Sequence, residues 1–447
     1  MNGIFFAIVV IAFGVAGFRQ ITWISPGGDA KAPMDLLATA MVDSAEASVT
    51  LAIGLVGVMA LFLGLMKVAE AGGLLVIIAK LVRPLMQRLF PDVPPDHPAM
   101  GAMILNMSAN ALGLGNAATP FGIRAMQELD KLNQVKGTAS NAMVLFLAIN
   151  TSSVTLLPTG VIALRAAAGS QDPAGIVPTT LFATICSTAI AIIVAKLCQR
   201  YWFNDPVPEA APVTEPQPIE FDTGLEEFDA DSPESSVEEL DTAGADEAYP
   251  TWISFTALAA IIALIPLTVV YGRSIAPWIM PGLMVAMLGF GVAKKVRVYE
   301  SFVEGAKEGF LVALRIIPYL IAILVAVGMF RSSGAMAMLI SPLSVITDGF
   351  GMPAEALPMA LLRPLSGSGA YGILASLIND PSIGPDSYTG YLVSTLQGST
   401  ETTFYVLAVY FGAVQIRRIR HALIAGLSAD LAGIIGAIVA VTFLLQT

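Results

Sequence analysis

Two polar, glycine-rich stretches interrupt the hydrophobic segments of this chain: NMSANALGLGNAATP at Asn106–Pro120 and GSTETTFY at Gly398–Tyr405. They carry amides, hydroxyls and one carboxylate where a lipid-facing helix would carry Leu or Val. Polar groups at membrane depth are costly unless they face protein or a water-filled cavity, so they mark functional sites. The Gly and Pro residues beside them predict unwound backbone, which a bilayer tolerates only where it is buried in protein or lines a cavity. Paired interruptions in two halves of one chain point to a transporter's binding site.

The interruptions carry this weight because the rest of the chain is so apolar. Of 447 residues, 55% are hydrophobic and 13% charged, about half the charge of a typical globular protein. The class is an all-α polytopic membrane protein. Expected uninterrupted spans are Asn2–Trp23, Val49–Ala69, Gly175–Tyr201, Trp252–Gly272, Ile275–Ala293, Leu311–Phe330 and Ala422–Leu445. Shorter or broken ones are Gly72–Phe90, Pro98–Leu114, Ala139–Leu164, Met336–Phe350, Ala356–Ile378 and Thr402–Val414. The first segment lacks a basic start and a small-residue cleavage site, so it reads as a retained helix. Cys186 and Cys198 are 12 apart on one helix and read as reduced packing residues.

Residues 205–247 hold 15 acidic side chains and no Lys or Arg. The remainder sets 19 acidic against 23 basic residues, a net of +4. This acidic run, rich in Pro, Ser and Thr, reads as a disordered tether. It divides the chain into domains at 1–203 and 251–447, with 204–250 as a cytoplasmic linker. Nucleic acid is not an expected partner of such a run. The expected partners are a lipid bilayer and a small polar solute, with homo-oligomerisation left open.

The halves resemble one another. Ala45–Gly72 aligns without gaps to Lys307–Gly334, Pro98 matches Pro358, and Ile149–Pro158 matches Gln397–Val406, so polar interruptions recur in the same order. Lys196/Arg200, Lys294/Lys295/Arg297 and Arg417/Arg418/Arg420 are placed in the cytoplasm. The helix from Ala422 starts at such charges, whereas its counterpart Gly175–Tyr201 ends at them. The halves therefore read as inverted repeats, with Trp252–Gly272 supplying the odd crossing.

Asn106 and Asn110 share one helical face, and GLGN after them frees backbone groups. Asn116 and Thr119 add neutral ligands, as do Asn150 and Thr151 in the first half and Ser366, Ser368, Ser399 and Thr400 in the second. These suit a neutral or zwitterionic solute or Na⁺, although Asn, Ser and Gly also serve close helix packing. Glu401, among three threonines, is the expected site of Na⁺ or H⁺ coupling. Asp430, ten residues beyond Arg420, is a second. Asp386 with Ser387 reads as a helix cap or turn, and Glu46 and Glu308 as matched helix starts. His97 and His421 read as surface or interfacial residues. No hydrolase, zinc-protease or phosphate-loop motif makes a case for an enzyme, and no cofactor is expected.

The motifs NMSANALGLGNAATPFGIRAM and FLAINTSS resemble spore maturation protein A, and RPLSGSGAYG and GPDSYTGYLVSTLQGSTETTFYVLAVYFGAV resemble spore maturation protein B. The chain resembles a fusion of the two. That superfamily is named for a nucleoside-recognition, or gate, domain and is similar in outline to concentrative nucleoside transporters. The resemblance implies re-entrant hairpins at Asn106–Thr119 and Ser366–Ser368, and broken helices at Asn150–Ser153 and Gly398–Thr402. It implies an inner-membrane transporter of a small polar solute working by alternating access, or alternatively a membrane scaffold or envelope-maturation factor retaining that fold.

Overall fold

The computed structural model describes residues 2–25, 31–113, 118–201, 249–338, 342 and 347–446. The linker 205–247 and Asn116 lie outside the described residues. Helices in the first half are α1 (Asn2–Ile21), α2 (Pro33–Ala71), α3 (Leu74–Leu89), α4 (Pro98–Ala111), α5 (Thr119–Leu132), α6 (Asn141–Thr151), α7 (Thr159–Ala167) and α8 (Val177–Cys198). After the linker come α9 (Thr251–Ala293), α10 (Val298–Ser332), α11 (Leu357–Leu362), α12 (Gly367–Ile378), α13 (Tyr388–Ser399), α14 (Thr403–Gly412) and α15 (Ala422–Gln446).

Local chemistry sets several of these boundaries. Proline stands in the first turn of α2, α4, α5 and α8, where its missing N–H costs nothing. The interrupted helices of the two halves open alike. The Ser140 hydroxyl caps α6 by accepting from Met143 N at 3.2 Å, and Ser387 caps α13 by accepting from Gly390 N at 3.0 Å. The helix start expected at Asp386 with Ser387 is present, with Ser387 and not Asp386 as the cap.

Counterpart helices of the two halves pack on each other. Along the α2–α10 contact, Ser44 lies by Gly328, Ala60 by Gly309, Leu63 by Gly305 and Gly64 by Phe302. Numbers rise on one helix as they fall on the other, so the pair is antiparallel. The α8–α15 pair is antiparallel as well. Ala183 faces Gly436, and the Ser187 hydroxyl donates to Ala429 O at 2.8 Å. Glycines set the close α2–α10 approach: a Cβ on Gly309 would stand 2.7 Å from Ala60 Cα.

The apolar core is built across the halves. The α4–α5 hairpin and α6 bury Met100, Met103, Phe146 and Leu147 together with Tyr410 and Phe411 of α14. Conversely, α12 and α13 bury Leu374, Leu392 and Leu396 together with Val161 and Ile162 of α7. Each half thus lends the segment after its helix break to the other's core. Phe6, Phe13, Ile53, Leu431 and Phe443 turn outward. Among the described residues, Pro33–Ala71, Pro173–Cys198 and Ala422–Phe443 are long and apolar enough to cross a membrane.

Three expectations are corrected here. Trp252–Gly272 and Ile275–Ala293 are not separate spans but one 43-residue helix, α9. Gly272 alone costs about 1 kcal/mol in a helix, too little to break it. Glu46 and Glu308 are not helix starts. Both lie inside longer helices, since Pro33 begins α2 and Val298 begins α10, and Glu308 pairs with Lys67 at 3.5 Å. His421 is buried rather than at the surface.

Candidate functional site

The interrupted helices end where hydroxyls turn back on the backbone. Thr151 Oγ1 and Ser152 Oγ both donate to Ala148 O, at 2.9 and 2.8 Å, and Ser399 Oγ donates to Leu396 O at 2.9 Å. Such bonds occupy terminal carbonyls that a continuing helix would use. The chain is then free from Ser152 to Pro158 in the first half and from Thr400 to Thr402 in the second. The two interruptions meet: Glu401 N–H donates to Thr151 O at 2.8 Å. The hairpin joins the first interruption through Leu156 N–H to Ala111 O at 2.9 Å. Gly113 (φ +74°) lies so close to Leu157 O that a Cβ there would stand 2.2 Å from it, a position only glycine fills.

Around the first interruption, polar side chains form a connected chain of hydrogen bonds. Asn110 Nδ2 donates to Asn150 Oδ1 at 3.0 Å, and Asn150 Nδ2 donates to Phe146 O at 3.0 Å. Asn106 Nδ2 donates to Ala118 O at 2.8 Å and to Tyr410 Oη at 3.2 Å. The Tyr410 hydroxyl in turn donates to Asn150 Oδ1 at 3.5 Å. Tyr410 comes from the second half, stacks on Phe146, and its hydroxyl packs against Gly122, whose Cβ would be 2.2 Å away. Asn106 is fully buried and its Oδ1 has no partner.

The second interruption is organised by Arg363. This guanidinium is buried and donates from Nε to Gln397 O at 3.0 Å, from Nη1 to Thr402 Oγ1 at 2.9 Å, and from Nη2 to Thr400 O. Its Nη2 also lies 3.6 Å from Glu401 Oε2. The Glu401 side chain is 48% exposed, so Glu401 acts beside a buried cation rather than as the lone charge of the site. Ser366 caps α12 by accepting from Gly369 N at 3.0 Å, with Ser368 Oγ 3.5 Å from its hydroxyl. Asp430 of α15 is buried, and its Oδ2 accepts from Thr403 Oγ1 at 2.7 Å.

Of the residues read from the sequence, Asn106, Asn110, Asn150 and Thr151 come together around the first interruption. Ser399, Thr400 and Glu401 meet them through the Glu401–Thr151 bond, and Ser366 and Ser368 stand at the start of α12. Thr119 lies in the first turn of α5, and Asn116 is outside the described residues. The sequence reading missed Arg363 and Tyr410. A lone Arg inside an interrupted apolar segment is itself a signal, whereas nothing local marks Tyr410.

Asp386 does other work than capping. It pairs with buried Arg165 at 3.0 Å and accepts from Ser170 Oγ at 2.5 Å and Gln171 N at 2.8 Å. Arg165 also donates to Pro385 O at 2.6 Å and lies 4.2 Å over the Tyr391 ring. The loop after α7 thereby clasps the loop before α13. A reciprocal contact matches it, since Arg420 donates to Ala139 O at 3.1 Å and Asn141 Oδ1 at 2.9 Å at the start of α6. In the first clasp, burial pushes the Asp172 carboxyl up despite the pull of Arg165.

Long apolar helices, outward apolar side chains and paired interrupted helices define a multi-pass membrane protein of two interlocked halves. The nucleoside recognition (Gate) family profile matches residues 52–168 and 313–417. Spore maturation protein A of Bacillus subtilis (strain 168) is 48% identical over 164 residues, 37% of this chain and 82% of that protein. Spore maturation protein B of the same organism is 50% identical over 165 residues, 37% of this chain and 92% of that protein. The chain belongs to this nucleoside-recognition, spore maturation protein family. No solved structure matches it.

Proposed function

We propose that this protein is a transporter of the bacterial inner membrane that moves a small polar solute by alternating access. In this reading residues 1–203 and 251–447 are inverted repeats and 204–250 is a cytoplasmic tether. The observation that carries it is the meeting of two interrupted helices, one from each half, through Glu401 N–H and Thr151 O. Interrupted helices that face each other across a repeat interface are where transporters bind substrate and ion. The antiparallel packing of α2 on α10 and of α8 on α15 supports inversion of the repeats. The asparagine–tyrosine cluster supplies neutral donors and acceptors, and Glu401 and Asp430 are the sites for Na⁺ or H⁺ coupling.

The family's description makes nucleosides the first solutes to test. Purified protein in proteoliposomes is assayed for uptake of nucleosides, amino acids and dipicolinate-like acids, with and without Na⁺. The reading predicts saturable uptake of one class that Asn150→Ala abolishes. Absence of uptake or solute-induced stabilisation across the screen overturns it. A second reading, a membrane scaffold retaining the fold, is favoured by one observation: Asn106, Asn150, Thr151 and Ser399 are almost completely buried and bonded within the protein.

A further inference from the structure

Asp430 stands in the middle of α15, with Gly426 four residues before it and Gly433 three after, all on one helical face. A Cβ on Gly426 would stand 2.7 Å from Thr403 Cγ2 and 3.8 Å from Thr151 Oγ1. One on Gly433 would stand 2.7 Å from Thr400 Cγ2 and 3.4 Å from Ser399 O. This face of α15 therefore carries the carboxylate to the place where the interruptions of both halves meet. The groups gathered there are oxygens: hydroxyls of Thr151, Ser399, Thr400 and Thr403, and the carbonyl of Ser399.

Asp430 is 4% exposed, and its Oδ1 has no hydrogen-bond partner. An uncompensated buried charge is among the most costly groups a fold can contain. The nearby cation, Arg363, is committed to Gln397 O, Thr402 Oγ1, Thr400 O and Glu401. Protonation of Asp430 would also remove the charge, with Thr403 still bonded to Oδ2. A small cation arranges its neighbours differently. It holds each oxygen at about 2.3–2.6 Å, as calcium-sized ions do, which sets adjacent ligand oxygens about 3.4 Å or more apart. Oδ1, left unpartnered beside these threonine and serine oxygens, offers such an ion its one charged ligand.

We propose that Asp430, with the hydroxyls of Thr400 and Thr403, forms a site for one Na⁺ ion at the junction of the two interrupted helices. A single carboxylate is neutralised by one monovalent charge. Among the described residues no group of three or more His, Cys, Asp or Glu is placed to hold a multivalent metal. The ion would bridge α14 and α15 and fix Thr400–Thr403 against Asp430, so its presence would set the geometry of the segment that touches Thr151. Naming it a coupling ion rests on the transport reading; the site itself does not.

The test is thermal unfolding of the full chain in detergent, with NaCl replaced by KCl or choline chloride at constant ionic strength. A ligand that binds only the folded state raises the melting temperature as its concentration passes its dissociation constant. Na⁺ should raise it by a few degrees, about 3–6 °C at roughly 100-fold saturation, and K⁺ and choline should not. Asp430→Asn should abolish the shift, Thr403→Val should raise the half-saturating Na⁺ about tenfold (one ligand oxygen lost, tenfold being about 1.4 kcal/mol), and Asp92→Asn at an exposed loop position should preserve it. Equal shifts in KCl, a shift surviving Asp430→Asn, or a midpoint that follows pH and ignores Na⁺ overturns the proposal, the last in favour of a proton site. If Asp430→Asn does not fold, an unchanged half-saturation in Thr403→Val overturns it instead. Na⁺ binding without solute uptake refutes transport and leaves this site standing, while uptake with no Na⁺ effect does the reverse.

Discussion

The Arg165 guanidinium and the Asp386 carboxylate meet at 3.0 Å across 221 residues of sequence, joining the last turn of α7 to the loop before α13. Arg165 is fully buried, whereas the Asp386 side chain remains 36% exposed. The two ends of this pair therefore differ in what their loss costs. Arg165→Ala removes donors from Pro385 O, Ser394 Oγ, Asp172 O and Asp386 at once. It should destabilise the fold by about 2–4 kcal/mol, the lower part of the range for breaking a buried pair because Asp386 is partly solvated. Arg165→Lys should recover little, since one ammonium cannot replace a planar fork of donors. Asp386→Asn keeps an acceptor and should cost about 1 kcal/mol. Chemical denaturation in detergent ranks the three, and an Arg165→Ala variant as stable as the parent refutes the clasp.

Arg363 and Glu401 invert that asymmetry in function. Glu401→Gln keeps the side chain's shape and touches a partly solvated group, so folding should change by less than about 1 kcal/mol. Solute binding or its ion dependence should fall far more, by tenfold or beyond. Arg363→Met should instead unfold the second interruption, because Gln397 O, Thr400 O and Thr402 Oγ1 all lose their donor. Paired measurements of melting temperature and ligand affinity separate the two. Equal effects of both substitutions on stability would show that Glu401 is merely structural.

Gly122 exists to admit Tyr410. With a Cβ only 2.2 Å from the Tyr410 hydroxyl oxygen and 2.9 Å from Asn106 Nδ2, Gly122→Ala must displace the ring or the α4–α5 hairpin. Overpacking of this kind costs about 1–3 kcal/mol. Tyr410→Phe keeps the stacking on Phe146 but removes the hydroxyl shared with Asn106 and Asn150, and should cost about 1 kcal/mol. It should also weaken solute binding if the asparagine cluster is the recognition surface. Solute-induced thermal shifts in both variants check this. A Gly122→Ala protein of parental stability would mean that the close approach is not made.

The positions of the interruptions were legible because hydroxyls and amides in an apolar run have no other physical excuse. Hence Asn150–Ser153 and Gly398–Thr402 fall where α6 and α13 end. The pairing of the halves was legible only in part. Charge placement suggests opposite directions, but the division of Trp252–Gly272 from Ile275–Ala293 fails because hydropathy reads Gly272 as a boundary without asking whether a turn forms there. Glu46 and Glu308 were misread because an acidic residue before an apolar stretch looks the same at a helix start and in an amphipathic helix interior. Tyr410 and Arg165 could not be assigned from local sequence at all. Their partners lie 304, 260 and 221 residues away, and only the exchange of elements between halves brings them together.

The inverted-repeat reading makes a prediction that needs neither solute nor ion. The loop after α7, containing Gln171, and the loop after α14, containing Gln415, occupy corresponding places in the two halves and clasp reciprocal partners. If a two-fold axis in the membrane plane relates the halves, these loops lie on opposite faces of the bilayer. If the axis runs along the membrane normal, they share a face. Cys186 and Cys198 are first replaced by Ser, since both are free thiols. Gln171→Cys and Gln415→Cys, each at an exposed position, are then labelled separately in intact cells and in inside-out vesicles with a membrane-impermeant maleimide. The positive-inside rule assigns the Arg417–Arg420 loop to the cytoplasm, so Gln415→Cys should react only in inverted vesicles and Gln171→Cys only in intact cells. The antiparallel α8–α15 pair is the physical basis of this outcome, because these two helices follow the labelled loops and, running in opposite directions, start from opposite sides. Labelling of both positions from the same side refutes the inverted arrangement, and with it the alternating-access mechanism that the symmetry supports.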